Sequence, residues 1–461
     1  MSTESMTGAE RRAALSLAGI FSLRMLGLFM IYPVFAPWAR GLPDATATTI
    51  GLALGAYGLA QALLQIPFGF LSDRVGRKPV IAVGLVLFVA GSVMAALSTS
   101  IYGIVLGRII QGTGAIGSTV LALAADLTLE EHRTRAMAII GMTIGGAFGL
   151  AVVLGPVLNG WIGVRGIFWL TAVLAGFGIV VLYTLVPHAA ARRLHRDAEP
   201  VPALFRRVLA DRELQRLDLG IFSQHAILTA SFLVIPFVLT HAGVALHHQW
   251  WVYLPVLVLS IALLVPLVIV AERGHMKPVF LGSIALLAIG QLLLLQGQAH
   301  VRVAFLALLA FFAAFNVLES TLPSLVSRFA PADAKGTAMG VYSSSQFFGI
   351  FVGGALGGWI QGHWGLDGVV VFCVALAALW GSVALFMRPP SGVSRRVLRV
   401  AVRDESGARE LEDRLRKIPG VLEAVVVADE GVAYVRANRA LNPERLTTAV
   451  AEGWSSRRQA Q

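Results

Sequence analysis

The chain of 461 residues holds a single cysteine, Cys373. No intramolecular disulfide can form, and no cysteine-based metal cluster can assemble. Charge is also scarce. Asp, Glu, Lys and Arg make up 14% of the residues, against roughly 25% in a soluble globular protein. With 56% hydrophobic residues, the polar surface is too small to cover a water-soluble shape. There is no GxxxxGK[ST] phosphate loop, no G-x-S-x-G elbow and no HExxH pair. ATP hydrolysis, serine acyl transfer and zinc hydrolysis therefore lack their residues, and we expect no enzyme, no cofactor and no metal site.

What the chain has instead is long apolar runs. About twelve are legible, at 14–36, 48–71, 79–98, 101–126, 135–159, 164–187, 217–240, 247–271, 278–298, 301–325, 335–361 and 366–387. Roughly 20 apolar residues cross the hydrocarbon core as a helix. Unbroken runs of this length exclude the short alternating strands of a barrel. The expected fold class is an all-α membrane protein. The polar start, MSTESMTGAERRAAL, enters the first run without a small-residue cleavage site, which reads as a mature terminus, not a signal peptide.

Basic residues sort to one side of these spans. Arg11, Arg12, Arg74, Arg77, Lys78, Arg133, Arg135, the arginines between 192 and 216, Arg273, Lys277, Arg328 and Lys335 share it, while Arg40, Arg165 and Arg302 fall opposite. The bias puts both termini in the cytoplasm of a multi-pass cell inner membrane protein. It also accounts for much of the net charge of +11, so no nucleic-acid partner is called for. The longest polar connection divides the spans six and six. We expect a first half at 1–187, a cytoplasmic linker at 188–216, a second half at 217–390 and a tail domain at 395–455. ERGHMKP at 272–278 echoes SDRVGRKP at 72–79, as duplicated halves would. In the tail, RVLRVAVR, LEAVVVA and GVAYVRA read as strands and ARELEDRLRKI and PERLTTAVAEG as helices. This βαββα order reads as a small α+β, ferredoxin-like domain.

Three motifs carry a family resemblance. GFLSDRVGRKP, with Gly69, Asp73, Arg74, Gly76 and Arg77, resembles the turn between helices 2 and 3 of the major facilitator superfamily, commonly GxxxDRxGR[RK]. RIIQGTG in span 4, with Arg108, Gln111, Gly112 and Gly114, is similar to a signature of its drug–proton antiporter branch. GGAFGLAVVLGPVLNG in span 5, which includes Gly149, looks like the antiporter motif gxxxGPxxGG: Gly155, Pro156 and Gly160 match, and Asn159 stands where glycine is usual. The first span and the tail also resemble a bacterial branch with an extra C-terminal ferredoxin-like domain. The resemblance implies two six-helix halves that rock around a central site, and proton-coupled export of small amphipathic or drug-like compounds. It implies a cytoplasmic latch in which Asp73 faces the start of span 11 near Gly336 and Thr337, and Arg77 pairs with Asp126. It assigns Arg108 to proton coupling and Gly155-Pro156 to antiport direction.

The residues allow readings of their own. A charge at mid-bilayer costs at least ~2.5–3.5 kcal/mol, so it usually faces a cavity or a partner. Glu319 lies inside apolar span 10 with Asn316 one turn earlier. A carboxyl in low dielectric can load and release a proton, or it can be a neutral structural acid. Arg108 and Arg24 are either coupling residues or arginines satisfied by carbonyls. His225 either joins a proton path or is a satisfied core histidine. Tyr57, Gln61, Gln65, Asn316 and Gln346 are candidates to line the cavity or to join helices. The expected partners are a small-molecule substrate, protons and the bilayer. The tail, with neither cysteine nor histidine, offers self-association or a regulatory contact. A symporter or facilitator for a narrow substrate and a membrane sensor are the alternatives.

Overall fold

The computed structural model describes residues 6–187, 202–331, 334–388, 393–400, 402, 405–428, 431–438, 441, 445–448 and 450. They form two compact units, 1–387 and 388–461. In the first, α1 (Gly8–Phe29), α2 (Tyr32–Ala39), α3 (Ala47–Val75), α4 (Arg77–Leu97), α5 (Ile101–Thr113), α6 (Gly117–Asp126) and α7 (Glu130–Thr184) precede α8 (Pro202–Ala210). Then come α9 (Arg212–Phe232), α10 (Ile235–His241), α11 (Trp250–Val270), α12 (Met276–Gly297), α13 (Val301–Phe329) and α14 (Lys335–Leu385).

Among the described residues, nine helical stretches are long and apolar enough to cross a membrane. Three of them run 50, 52 and 51 residues, or about 75 Å if straight, far beyond a ~30 Å hydrocarbon core. Each breaks at a glycine in left-handed backbone: Gly163 (φ 66°), Gly274 (φ 107°) and Gly365 (φ 68°). A side chain with a Cβ would be strained there. After Gly163 the chain turns back along α1. Arg165 Nη2 donates to the Ser98 carbonyl (3.4 Å), Thr171 Oγ1 to that of Gly27 (3.2 Å) and Arg12 Nη2 to that of Thr184 (3.4 Å). Counting these three stretches as double spans turns nine into the twelve expected from the sequence. The breaks within single spans were not expected. Span 1 is interrupted before Pro33, span 7 before Pro236 and span 4 at 114–116. A proline N–H cannot join the helical ladder.

The two halves meet most closely along α3 and α14, which run antiparallel. A Cβ at Gly55 would stand 2.7 Å from the Phe351 carbonyl, and one at Gly358 2.5 Å from that of Ala47. Only glycine permits this backbone approach. Toward the basic end, which the charge bias assigns to the cytoplasm, the pair diverges. A Cβ at Gly340 would meet only the Ile66 side chain, at 3.8 Å, and one at Gly336 nothing within 4 Å. The halves are thus closed at the outer end. Within the second half, α9 and α14 run parallel, with Gly349 against Phe222 and Gly353 against Ala226. Cys373 is fully buried on α14.

At the basic end Glu10 clasps two helix starts. Its carboxylate accepts from the Thr7 N–H (2.9 Å) in a capping box, from the Leu129 N–H (2.7 Å) and from His132 Nδ1 (3.0 Å). Leu129 caps α7 and has no capping side chain of its own, so Glu10 satisfies an orphan donor there.

In the second unit, β1 (Val393–Arg399), α15 (Glu405–Arg416), β2 (Val421–Val427) and β3 (Val432–Asn438) form an antiparallel sheet of order β1-β3-β2 with one helix. Ala408, Leu411 and Leu415 of α15 share a core with Ala424, Val426, Ala433 and Val435. It is a small α+β domain. Much of the expected final helix lies outside the described residues.

Two outcomes follow from this packing. The Ala47 Cβ and a Cβ at Gly362 would be 3.7 Å apart, within disulfide range. Ala47→Cys with Gly362→Cys, in a Cys373→Ala background, should therefore cross-link on oxidation. Adding Gly55→Val overpacks the seam by about 1–3 kcal/mol and should cut the cross-linked fraction roughly tenfold. Glu10→Ala should cost about 2 kcal/mol of stability, read as a lower thermal midpoint in detergent; an unchanged midpoint would remove the clasp.

Candidate functional site

The charged turn builds its own network. Gly76 ends α3 with φ 114°, and its N–H donates to the Ser72 carbonyl. This sharp stop lets Arg77 open α4 and reach back. Arg77 forms an ion pair with Asp73, its Nε donates to Asp126 Oδ2 (3.2 Å) and its Nη1 to Ser72 Oγ (2.7 Å). Lys78 Nζ donates to the Val186 carbonyl at 2.6 Å, just past the end of α7. Gly69 faces Ser118 of α6. Arg74 is exposed at the tip of the turn and also engaged. The turn thus joins α3, α4 and α6 and reaches the end of α7, all within the first half. The expected contact between Asp73 and the start of span 11 is not made here. Among the described residues no hydrogen bond reaches Asp73 from Gly336 or Thr337. The physical reason is the divergence of α3 from α14 at this end.

Two arginines are buried in the first half without an ion-pair partner among the described residues. Arg24 is 1% exposed and Arg108 0%. Arg24 Nη2 donates to Tyr57 Oη (2.6 Å), Gln61 Oε1 (2.8 Å) and the Gly114 carbonyl (3.0 Å). The break in span 4 takes that carbonyl out of the helical ladder, and it also accepts from the Ile116 N–H at 2.9 Å. Gln61 Nε2 in turn donates to Gln65 Oε1 (3.0 Å). Arg108 donates to the Ala53 and Leu54 carbonyls and to Gln111 Oε1 (2.8 Å), and Gln111 Nε2 continues to Ser92 Oγ (2.7 Å). Its guanidinium lies 5.1 Å from the Tyr57 ring centroid, and that of Arg24 lies 5.4 Å from Phe88. Aromatic faces and carbonyls replace counter-ions here. Tyr57, Gln61 and Gln65, candidates to line the cavity or to join helices, are buried within this network.

The second half holds an acid. Glu319 of α13 accepts from Gln224 Nε2 of α9 at 2.9 Å, and His225 Nε2 stands 3.8 Å away. Gln346 Nε2 of α14 lies 2.8 Å from the same ring nitrogen, while His225 Nδ1 faces the Ile221 carbonyl at 3.3 Å. These partners fit a neutral imidazole that donates through Nδ1 and accepts at Nε2. The Glu319 side chain is 39% exposed, although it sits in the interior of a helical bundle. Asn316, one turn outward, donates to Ser260 Oγ of α11 at 3.0 Å. The structure thus brings Glu319, His225 and Gln346 together and places Arg24 and Arg108 in a separate cluster. Gln224 and Ser260 went unrecognised in the sequence; both are small polar breaks in apolar runs, the one signal that marks them.

Aromatic rings join the halves beside these groups. Phe148 of α7 stacks on Phe315 of α13 with centroids 5.8 Å apart, Tyr32 of α2 meets Phe232 of α9 at 5.4 Å, and Tyr57 meets Phe347 of α14 at 6.1 Å. The span 5 motif flanks this layer. Gly155 packs on the Met30 backbone and Pro33, while Gly149 and Gly160 look toward Leu257 and His247 of the other half.

This arrangement has known counterparts. The profile of the Major Facilitator Superfamily matches residues 17–246 and 217–441. The chain is 44% identical over 438 residues to the inner membrane transport protein YajR of Escherichia coli K12, covering 95% of this chain and 96% of that protein. It is 27% identical to the multidrug resistance protein MdtH of Aeromonas hydrophila, over 80% of this chain and 94% of that one. A crystal structure of a D-xylose–proton symporter shares the fold at TM-score 0.64 and 18% identity, covering 83% of this chain and 98% of that one. Twelve spans in two halves, the charged turn after span 2 and the match to the family profile make this chain a membrane transporter of the major facilitator superfamily.

Proposed function

We propose that the protein is a proton-coupled secondary transporter of the inner membrane that exports small amphipathic compounds by alternating access. The observation that carries this reading is Glu319. It is a carboxyl deep in the bundle, held by an uncharged amide beside a histidine, and open to water in part. A proton and a substrate can compete for such a group only if it has no permanent cationic partner, and it has none among the described residues. Arg24 and Arg108 hold the first half together beside the aromatic layer. The similarity to YajR and MdtH supports membrane transport and, more distantly, drug export.

In the same reading the charged turn is a state-dependent latch. With the outer end closed, Asp73 is neutralised by Arg77 inside its own half. When the cytoplasmic ends approach, the start of α14 presents unpaired amides and the positive end of its dipole to the Asp73 carboxylate. Asp126 holds Arg77 in place meanwhile.

Two experiments test this. In liposomes loaded with a pH-sensitive dye, tetraphenylphosphonium should drive proton movement through the wild type and none above empty liposomes through Glu319→Gln. Equal movement in both would remove Glu319 from coupling. Asp73→Asn should shift the population toward the state closed at the outer end, read as a shorter spin-label distance across α3 and α14 there; an unchanged distance distribution would sink the latch.

A further inference from the structure

Asp218 belongs to none of the motifs and is not used by the clusters above. It lies on α9 about two turns past the helix start, inside a membrane span. It is half-buried and, among the described residues, has neither hydrogen bond nor ion pair. Its basic neighbour Arg216 is taken by Glu213 at 2.5 Å. A carboxyl in this position, with no satisfying partner, is costly as a permanent anion.

Its placement relates it to Glu319. Asp218 is seven residues before His225, so the two share one face of α9 two turns apart. On α14, Tyr342 is four residues before Gln346 and shares that residue's face one turn lower. The parallel register, Phe222 beside Gly349 and Ala226 beside Gly353, sets Asp218 level with residue 345, within one turn of Tyr342. The Tyr342 hydroxyl is buried without a hydrogen-bond partner, as is Ser344 Oγ. Tyr342 lies in the electrostatic field of both Glu319 and Asp218. Of the other charged groups toward this end of these elements, Glu213 and Arg216 pair with each other, Arg328 and Lys335 have contacts of their own nearer the helix ends, and Arg212 is exposed at the first position of α9.

From this column of groups we infer that Asp218 is a second proton-binding acid of the transport cycle, lying between Glu319 and the cytoplasm on the same cavity wall, with the unpartnered Tyr342 and Ser344 hydroxyls at its level on α14. The inference rests on the proton-coupled reading of Glu319. No covalent chemistry is involved: a proton binds to and leaves each carboxyl oxygen, and the hydroxyls donate to whichever carboxyl is ionised.

The test uses the full chain in liposomes and needs no substrate. Infrared difference spectra between acid and alkaline pH report each titrating carboxyl by its protonated C=O stretch. Two such bands are expected from the wild-type interior, one lost in Glu319→Gln, the other in Asp218→Asn, and both in the double variant. Asp218→Glu should restore a band at a shifted frequency, which shows that the loss in Asp218→Asn reflects a carboxyl and not a misfolded bundle. Tyr342→Phe should shift the Asp218 band without abolishing it. An Asp218→Asn spectrum identical to wild type would overturn the assignment, as would an Asp218→Glu protein with no new band. Loss of nothing in Glu319→Gln would instead overturn the coupling reading on which the assignment rests.

Discussion

A charge taken into a bilayer must bring its solvation with it, and the two halves of this transporter solve that requirement differently. In the first half, two guanidiniums are wrapped in carbonyls, amide oxygens and aromatic faces, with no acid beside them. The price of that arrangement is rigidity. Every group that satisfies Arg24 or Arg108 must stay where it is, and the break at 114–116 that turns the Gly114 carbonyl toward Arg24 is part of the wrapping. In the second half, a carboxyl is held by one amide and a neutral imidazole, and it reaches water. Among the described residues, none of its partners carries a permanent charge.

The same division runs through the packing. The first half is clasped at its cytoplasmic end by the Arg77 network, by Lys78 on Val186 and by Glu10 on the start of α7. The seam to the second half is made of glycine backbones and ring faces, contacts that part without leaving a buried charge exposed. Rocking is inexpensive where the interface is apolar and small, and resisted where it is ionic. The motif turn therefore sits at the base of one half, where its ion pairs tie α3, α4 and α6 together.

Much of this was legible in the residues. The twelve spans could be counted because glycine interrupts the longest helices at Gly163, Gly274 and Gly365, and because charge gathers on one side. Arg77 with Asp126 followed from the motif, and Glu319 stood out as an acid in an apolar run. The breaks inside spans 1, 4 and 7 were not legible. Pro33, Pro236 and Gly114 can all be tolerated in a membrane helix, and only tertiary contacts decide whether they are. Nor could the sequence pair Arg24 with Gln61 and Gly114, since contacts between distant spans leave no periodic trace. The position of Asp73 depends on which end of the molecule is open, a property of the state and not of the chain.

Cys373 has a consequence of its own. It is the one thiol in the chain, and it is sealed inside α14. Electrophiles react with cysteine as the exposed thiolate, and here they find none. The interior of the bundle thus offers alkylating and oxidising molecules no accessible thiol. Modification at cysteine is closed off by composition and burial alone.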